Sequence, residues 1–343
     1  MDDKNNTQPL FIDIIQDAWN SVMDNMLKDG KTEDDIRKYI ESDSFAEAHM
    51  SLLEQMIEGC TKSIEQHIAE YDAEEKHSHS LHIEHMESLW GEGLAWLRQY
   101  YSKCADICNG YMLHINQSKI ISDRRNTANA LRFIQAKAMQ VYAEIICLLA
   151  NGFPYGAYAR FRSLYELWAV AEFISSDTDA VAAAYIESSN NRTNQESAHY
   201  KWAKESDRMR KSEKITINAI VNEAHKTVKA RLKDDVSNRH LTALYTFPNL
   251  IIHPSAQGVF GSFSTCQTNA VSIGAIDVGL ATPAINSSQI MHNINILFMN
   301  FHANEVSIIG LGILRNIIDQ KIVPIFGKIE KQFKCSEEVY EGR

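Results

Sequence analysis

The chain has 343 residues, of which 45% are hydrophobic and 23% are charged, with only 15 Gly and 6 Pro. This length allows one large or two ordinary domains, and the scarcity of chain breakers excludes collagen-like and low-complexity proteins and argues against an all-β sandwich. The formal net charge of −10 excludes a general attraction to phosphate backbones or anionic lipid, so any nucleic-acid contact must be local.

The chain begins with a pattern that predicts two helices. Apolar residues at helical spacing indicate a first helix over residues 10–27, which Gly30 ends. Thr32 then has Asp35 three positions later, and this capping-box pattern predicts a second helix through Ile40.

Residues 44–116 contain no Pro and few Gly, which predicts long helices. We expect a break in them near Tyr71–Ser80 or at Gly91–Gly93. Because this part of the chain is acidic, we expect residues 1–117 to form a helical arm that binds a partner protein.

The middle of the chain predicts a helical hairpin. Ser122 or Asp123 can cap a helix that ends at Gly152, and Pro154 can open a second helix that ends at about Ile174. Two amphipathic helices joined by so short a turn should pack antiparallel, so the hairpin is expected at the centre of a helical bundle.

The second half of the chain adds further helices and one irregular region. Helices are expected over Asp177–Arg210, Ile215–Lys233, Ser237–Phe247 and Ile290–Gln320. Strand-like alternation at Val259–Phe263 and Val271–Ile276 predicts a small hairpin or an ordered loop. The predicted fold class is therefore all-α: a long-helix N-terminal arm, a bundle domain over residues 118–333 with a small irregular or β-hairpin insertion, and a flexible tail over residues 334–343.

Cysteine usage and the chain start predict a cytoplasmic protein. The six cysteines are scattered through the chain, which is typical of reduced thiols rather than of a disulfide scaffold. The first residues are acidic and polar, unlike a signal peptide, and the longest apolar stretches are too short to span a bilayer. No membrane partner is expected, and the long apolar helical faces favour a homo-oligomer.

The hairpin run Leu148–Trp168, which contains the sequence Arg-Ser-Leu-Tyr-Glu, and the later run Ile252–Ala256 carry a family resemblance. Over about residues 126–261 the chain resembles the bacterial family catalogued as domain of unknown function 5677. The resemblance implies a helical bundle inside the cell but no assigned activity. More loosely, the chain is similar to HEPN domains, many of which are metal-independent ribonucleases in toxin, abortive-infection and antiviral systems.

The residues that match the recurring polar positions of the family are Arg160 or Arg162, Glu166 and His253. Arg162 and Glu166 are four positions apart, with Tyr165 between them, so the two charges should meet on one face of the helix. They are either a salt bridge that orients the hairpin or a site in which the guanidinium holds a phosphate or carboxylate.

His253 precedes Pro254, which biases it away from helical geometry. Its imidazole could act as an acid or a base in RNA cleavage through the 2′-hydroxyl, with Arg160 or Arg162 stabilising the anionic phosphorane. Tyr165, Asn249 and Ser255 could position the substrate. The alternative is a histidine that caps a helix or closes the loop with one hydrogen bond.

HEPN ribonucleases carry an Arg followed after a short gap by a His. Only Arg192, with His199 after six intervening residues, matches that spacing here, so these two residues are secondary candidates. His253 has no upstream Arg at that spacing, which departs from the HEPN pattern.

His77, His79, His82 and His85 form a dense cluster among glutamates. They could chelate Zn or Ni, or they could lie on a solvated helix face, and we assign no metal and no cofactor. Walker-loop and Gly-x-Ser-x-Gly patterns are absent from the sequence.

Three functions remain open at this point. The first is an intracellular effector in phage defence or a toxin system that acts as a metal-independent endoribonuclease. The second is a non-catalytic helical scaffold that binds a partner protein through the N-terminal arm. The third is a sensor whose bundle binds a small anionic ligand. The first predicts that the arginines and His253 meet in an open cleft, whereas the second predicts that they are buried and bonded to each other.

Overall fold

The computed structural model describes residues 11–118, 124–190, 199–233, 241–248 and 274–341. Every regular element in these ranges is helical, so the predicted all-α class is confirmed. The helices are α1 Phe11–Lys28, α2 Glu33–Ile40, α3 Asp43–Ser118, α4 Arg125–Ala150, α5 Pro154–Ser175, α6 Asp179–Glu187, α7 Ile217–Leu232, α8 over residues 241–248, α9 Ala281–Met299, α10 Glu305–Ile317 and α11 Val323–Glu341. Short 3-10 turns lie at Ser188–Asn190, Lys201–Glu205 and Asn300–His302, and a π-helical turn joins α10 to α11 at Ile318–Ile322.

The chain forms two compact units, Met1–Ser78 and His79–Arg343. The first unit contains α1, α2 and the beginning of α3. Gly30 ends α1 with a left-handed φ of +80°, and Thr32 and Asp35 form the predicted capping box at the start of α2. The division falls inside α3, so the predicted arm boundary at residue 117 does not coincide with it.

The predicted break in the N-terminal helices is wrong, because α3 is one continuous helix over Asp43–Ser118. Gly91 and Gly93 are both helical, and Gly93 leaves room for the ring of Phe326. A helix interior tolerates glycine at a cost of about 1 kcal/mol relative to alanine, and close packing against a neighbouring element offsets that cost.

The later part of α3 belongs to the core of the second unit and is not part of an arm. Large side chains of this segment are buried, among them Trp90, Leu94, Tyr100 and Tyr111. Tyr100 also donates a hydrogen bond to the backbone carbonyl of Ser288 in α9 at 3.3 Å. Burying these rings removes much apolar surface from water, which is why this half of α3 packs in the bundle.

The hairpin of α4 and α5 forms the centre of the bundle, with α9 packed against both helices. Their shared core contains Leu131, Ile145, Phe161, Leu164 and Ile294. By length and composition α4 could also cross a bilayer, although half of its most apolar window is buried inside the fold. One such helix is weak support for a membrane protein, because the core helix of a globular bundle has the same composition.

The turn of the hairpin requires a glycine. Gly152 has a φ of +75°, and a Cβ there would lie 2.6 Å from His82 Nε2 and 2.8 Å from the carbonyl oxygen of Ile276. Its own carbonyl accepts a hydrogen bond from the backbone N–H of Ile276 at 2.8 Å. Pro154 then opens α5 at its first turn, as predicted.

Two predicted helices are interrupted in the structure. In its described part, the region expected as one helix over Asp177–Arg210 contains α6, the helical residue His199 and two short 3-10 turns. The helix expected over Ile290–Gln320 is divided between α9 and α10, because the side chain of Asn304 caps the start of α10 through a capping box with Ser307. Val259–Phe263 and most of Val271–Ile276 lie outside the described residues.

Candidate functional site

The predicted charged residues of α5 lie on its partly exposed face. Arg160 Nε is 2.5 Å from Glu144 Oε2 of α4, in an ion pair that lacks hydrogen-bond geometry. Arg162 Nε donates to Glu166 Oε1 at 3.0 Å, which is the predicted pair at a spacing of four.

Arg162 also packs over an aromatic ring. Its guanidinium carbon is 5.6 Å from the ring centre of Tyr245 in α8, and the Tyr245 hydroxyl donates to Asn218 Oδ1 at 2.6 Å. Burial lowers the pKa of Arg162, but the Glu166 carboxylate outweighs burial and the pKa is raised overall. Arg162 therefore remains a cation that already has two partners, the Glu166 carboxylate and the Tyr245 ring.

Tyr165 is fully buried and does not reach a cleft. Its hydroxyl donates to the backbone carbonyl of Leu241 at 2.8 Å, and His225 Nε2 lies 2.7 Å from the same oxygen. Because a phenol has one proton to donate, His225 Nε2 must be the donor of the second bond. Burial raises the pKa of Tyr165 and lowers that of His225, so this set of groups is neutral and structural near pH 7.

A cleft of about 420 Å³ opens beside α4, α5 and the turn at residues 199–202. Three of the predicted site residues line it: Arg160, Glu166 and His199. Lys137 of α4 and Ser163 of α5 add a second cation and a hydroxyl. No local pattern pointed to Lys137 and Ser163, since their place in the cleft follows from the way in which α4 packs on α5.

The cleft brings together two predictions that were separate in the sequence. Arg160 and Glu166 came from the hairpin run, whereas His199 came from the HEPN spacing. His199 is exposed, and Trp202, three residues later in the 3-10 turn Lys201–Glu205, is buried against Phe173 and Tyr185. The buried indole therefore anchors the segment that carries the imidazole.

Four predicted site residues lie outside the described residues: Arg192, Asn249, His253 and Ser255. The predicted meeting of His253 with the arginines of α5 therefore stays a prediction.

The histidine cluster does not form a metal site in the part of the chain that the structure describes, where no group of three or more His, Cys, Asp or Glu side chains is arranged to hold an ion. His85 Nε2 instead lies 3.2 Å from Asp277 Oδ2. The Nε2 atom of His82 is buried against the hairpin turn without a hydrogen-bond partner, while His77 and His79 are exposed.

Cys104 and Cys108 are buried in the core. Asn295 of α9 donates to Cys104 Sγ at 3.2 Å, and Gln135 of α4 donates to Cys108 Sγ at 3.1 Å. Burial raises the pKa of Cys104 to about 12, so the thiol is protonated and unreactive near neutral pH.

An acid that sequence reasoning missed is Glu172, six residues after Glu166. Its side chain is 1% exposed, and both carboxylate oxygens accept hydrogen bonds from Arg231 of α7, at 3.0 and 3.2 Å. The available signal was its place in an otherwise apolar run, Trp168–Ile174, because a charge in such a run must be buried with a partner.

Comparison with known proteins gives one match. No curated protein and no solved structure matches the chain. The looser likeness to HEPN domains stays a prediction. Residues 129–267 match the model of the Family of unknown function (DUF5677), and this matched part of the chain carries most of the hairpin together with the cleft-lining Arg160 and Glu166.

Proposed function

We propose that the chain is a metal-independent endoribonuclease that acts in the cytoplasm as an effector in phage defence or a toxin system. The observation that carries this proposal is the cleft in which Arg160, Glu166 and His199 line one cavity. The imidazole can supply an acid or a base, and the guanidinium supplies a donor for phosphate oxygens.

The charges of the cleft support a local contact with RNA. Lys137 of α4 and Arg160 of α5 are both cations that line the cleft, in a protein whose net charge is −10. Glu144 forms an ion pair with Arg160, and a bound phosphate would take the place of this carboxylate. The cleft can therefore attract a phosphodiester that the protein as a whole repels.

The chemistry that we propose needs one base and one phosphate clamp. His199 removes the proton of the 2′-hydroxyl, and the 2′-oxygen attacks phosphorus while the bond to the 5′-oxygen breaks. Arg160 and Lys137 stabilise the charge on the phosphorane oxygens. The 5′-oxygen takes a proton from water, and His199 returns its proton to the hydroxide, so the products are a 2′,3′-cyclic phosphate and a 5′-hydroxyl.

Incubation of the purified chain with total RNA in the presence of EDTA tests the proposal. We expect cleavage that His199→Ala lowers by about 100-fold or more, as is typical for loss of a general base. We expect Arg160→Ala to lower it by about 10-fold or more, because one charge-assisted contact to the phosphorane is lost. The matched controls are His79→Ala and Arg210→Ala, which change exposed side chains outside the cleft and should cleave as the wild type does.

His253→Ala tests which histidine is the base: His199 of the cleft or His253, which the family resemblance favours. If His253→Ala removes cleavage and His199→Ala does not, the base is His253 and our assignment of His199 is wrong. If the wild-type chain cleaves no RNA under any condition, the ribonuclease proposal falls.

A second candidate function is binding of a second copy through the first half of α3. Met50, Ile57 and Ile64 follow each other at intervals of seven residues and are 56%, 63% and 53% exposed. Leu53 and Cys60 lie between them at the alternate positions of a heptad. A stripe with this period is typical of a coiled-coil seam.

Cys60 makes the pairing testable. In a parallel, in-register pair of α3 helices, Cys60 would face Cys60 of the second copy. We expect mild oxidation to give a disulfide-linked dimer that is absent from Cys60→Ser and present in Cys147→Ser. A monomeric mass in sedimentation at high protein concentration would contradict this candidate.

A further inference from the structure

A second cavity lies on the opposite face of α5 from the cleft. It has a volume of about 610 Å³ and is formed by residues of α5, α7, α8 and α9. Trp168 and Glu172 of α5 line it, whereas Ser163, Glu166 and Val170 line the first cleft. Residues two positions apart on a helix point about 200° apart, so α5 separates the two cavities. The volume lies within the range of ordinary small-molecule sites.

The wall of this cavity is mainly apolar. Trp168, Val228, Leu241 and Leu297 provide an indole and three branched side chains. Trp168 is fixed by a buried edge-to-face contact with Tyr165, with ring centres 4.9 Å apart. The indole is therefore a rigid surface against which an aromatic or aliphatic body can pack.

The polar groups of the wall are Glu172, Arg231, Asn293 and Asn300. Glu172 is the only carboxylate among the described lining residues, and Arg231 occupies both of its oxygens. The charge of this carboxylate is therefore balanced by Arg231, and the Glu172 side chain is only 1% exposed, so it is poorly placed to attract a cationic ligand. Within the described chain the side-chain amides of Asn293 and Asn300 make no hydrogen bond, so they are available to a ligand.

The mouth of the cavity has one cation among the described lining residues. Arg231 uses two of its five N–H donors on Glu172, and its side chain is 56% exposed. Its remaining N–H donors favour a negative group on the ligand.

We propose that this cavity binds a small amphiphilic anion, with an apolar body that packs on Trp168 and one carboxylate or sulfonate group that Arg231 holds at the mouth. The amides of Asn293 and Asn300 then donate to polar atoms of the ligand next to the anionic group. This site is independent of the ribonuclease proposal, because none of its residues lines the first cleft.

Fluorescence titration of the full chain with anilinonaphthalene sulfonate tests the proposal. This probe has an aromatic body and one sulfonate, and its neutral analogue, phenylnaphthylamine, has the same body without the charge. We expect saturable binding of one sulfonate probe per chain. Arg231→Gln should weaken it by about 10-fold, because a charge-assisted hydrogen bond is lost, and should weaken the neutral analogue much less.

A variant that fills the cavity separates a specific site from general probe adsorption. Ile296 is a half-buried lining residue, and Ile296→Trp should abolish binding of both probes without unfolding the chain, as circular dichroism can verify. Arg315→Ala is the matched control for the charge change, since Arg315 is 54% exposed in an ion pair with Asp319, and it should bind both probes normally. Binding that does not saturate, or that both Arg231→Gln and Ile296→Trp leave unchanged, would overturn the proposal.

Discussion

At the scale of single residues, His292 shows how burial sets the protonation of a group. It lies in α9 and is 4% exposed, and its buried Nδ1 atom has no hydrogen-bond partner among the described residues. Burial is the main cause that lowers its pKa from 6.5 to about 4, and the nearby charge of Arg315 adds to this while Asp319 opposes it. The fold therefore holds a neutral imidazole.

This neutral imidazole predicts a pH dependence of the free energy of unfolding. Between pH 6.5 and about 4 the unfolded chain binds a proton at this residue that the folded chain excludes, so the stability from His292 is complete above pH 6.5 and is lost as the pH falls toward 4. The loss is on the order of 3 kcal/mol. We expect His292→Leu to flatten this slope in urea titrations, whereas the exposed control His79→Leu keeps it. An unchanged slope in His292→Leu would contradict the buried neutral state.

Sequence reasoning at this scale succeeds where the partners are close in the chain. The pair of Arg162 and Glu166 follows from helical spacing and is present. The bonds of Tyr165 to His225 and to the Leu241 carbonyl join residues 60 and 76 positions apart, so no local pattern could reveal them. The partner of Glu172 could not be predicted from a local pattern either, because Arg231 lies 59 positions later.

At the scale of helices, the close contact of α3 with α11 requires a glycine at position 93. Phe326 is fully buried and stacks on Trp90 of α3, with ring centres 5.5 Å apart. A Cβ on Gly93 would lie 2.8 Å from the Phe326 ring. Since the Phe326 ring is fully buried and interiors are closely packed, we infer that this glycine sets the distance between the two helices.

Gly93→Ala should therefore lower the free energy of unfolding by about 1–3 kcal/mol, as overpacking does in other cores. Gly110→Ala is the matched control in the same helix, because nothing lies within 4 Å of its Cβ position, and it should stabilise the chain by about 0.5–1 kcal/mol through the better helix propensity of alanine. Thermal unfolding of both variants measures the difference. Equal melting temperatures would show that the Phe326 ring relaxes at no cost.

The elements themselves were predictable where a helix start or end has a local signal. The capping box at Thr32, the turn at Gly152 and the start of α5 at Pro154 are confirmed. The break expected at Gly91–Gly93 was wrong, because a glycine that makes room for a neighbouring ring has the same local sequence signal as one that ends a helix. The division between α9 and α10 was missed, although its asparagine cap is a local feature.

At the scale of the whole molecule, composition predicted the all-α class, but the limits of the compact units depend on which helix face is buried. Acidity and periodicity run through the whole of α3, so the sequence alone favoured an arm that extends to residue 117. The burial of Met86, Trp90 and Leu97 instead makes the second part of α3 a core helix of the unit His79–Arg343. The two parts of α3 thus have similar sequence patterns but differ in how far their apolar side chains are buried.

Two truncations decide between these boundaries. A chain that lacks residues 1–78 keeps every buried side chain of the second unit, so we expect it to unfold cooperatively with a melting temperature close to that of the full chain. A chain that lacks residues 1–117 also loses Trp90, Leu94, Tyr100 and Tyr111, and each large side chain removed from the core costs about 3–5 kcal/mol. An ordinary domain has a total free energy of unfolding of about 5–15 kcal/mol. The loss of four such side chains together is of the same size or larger, so the shorter chain should not fold. Cooperative unfolding of the shorter chain would mean that α4–α11 form a complete core without α3.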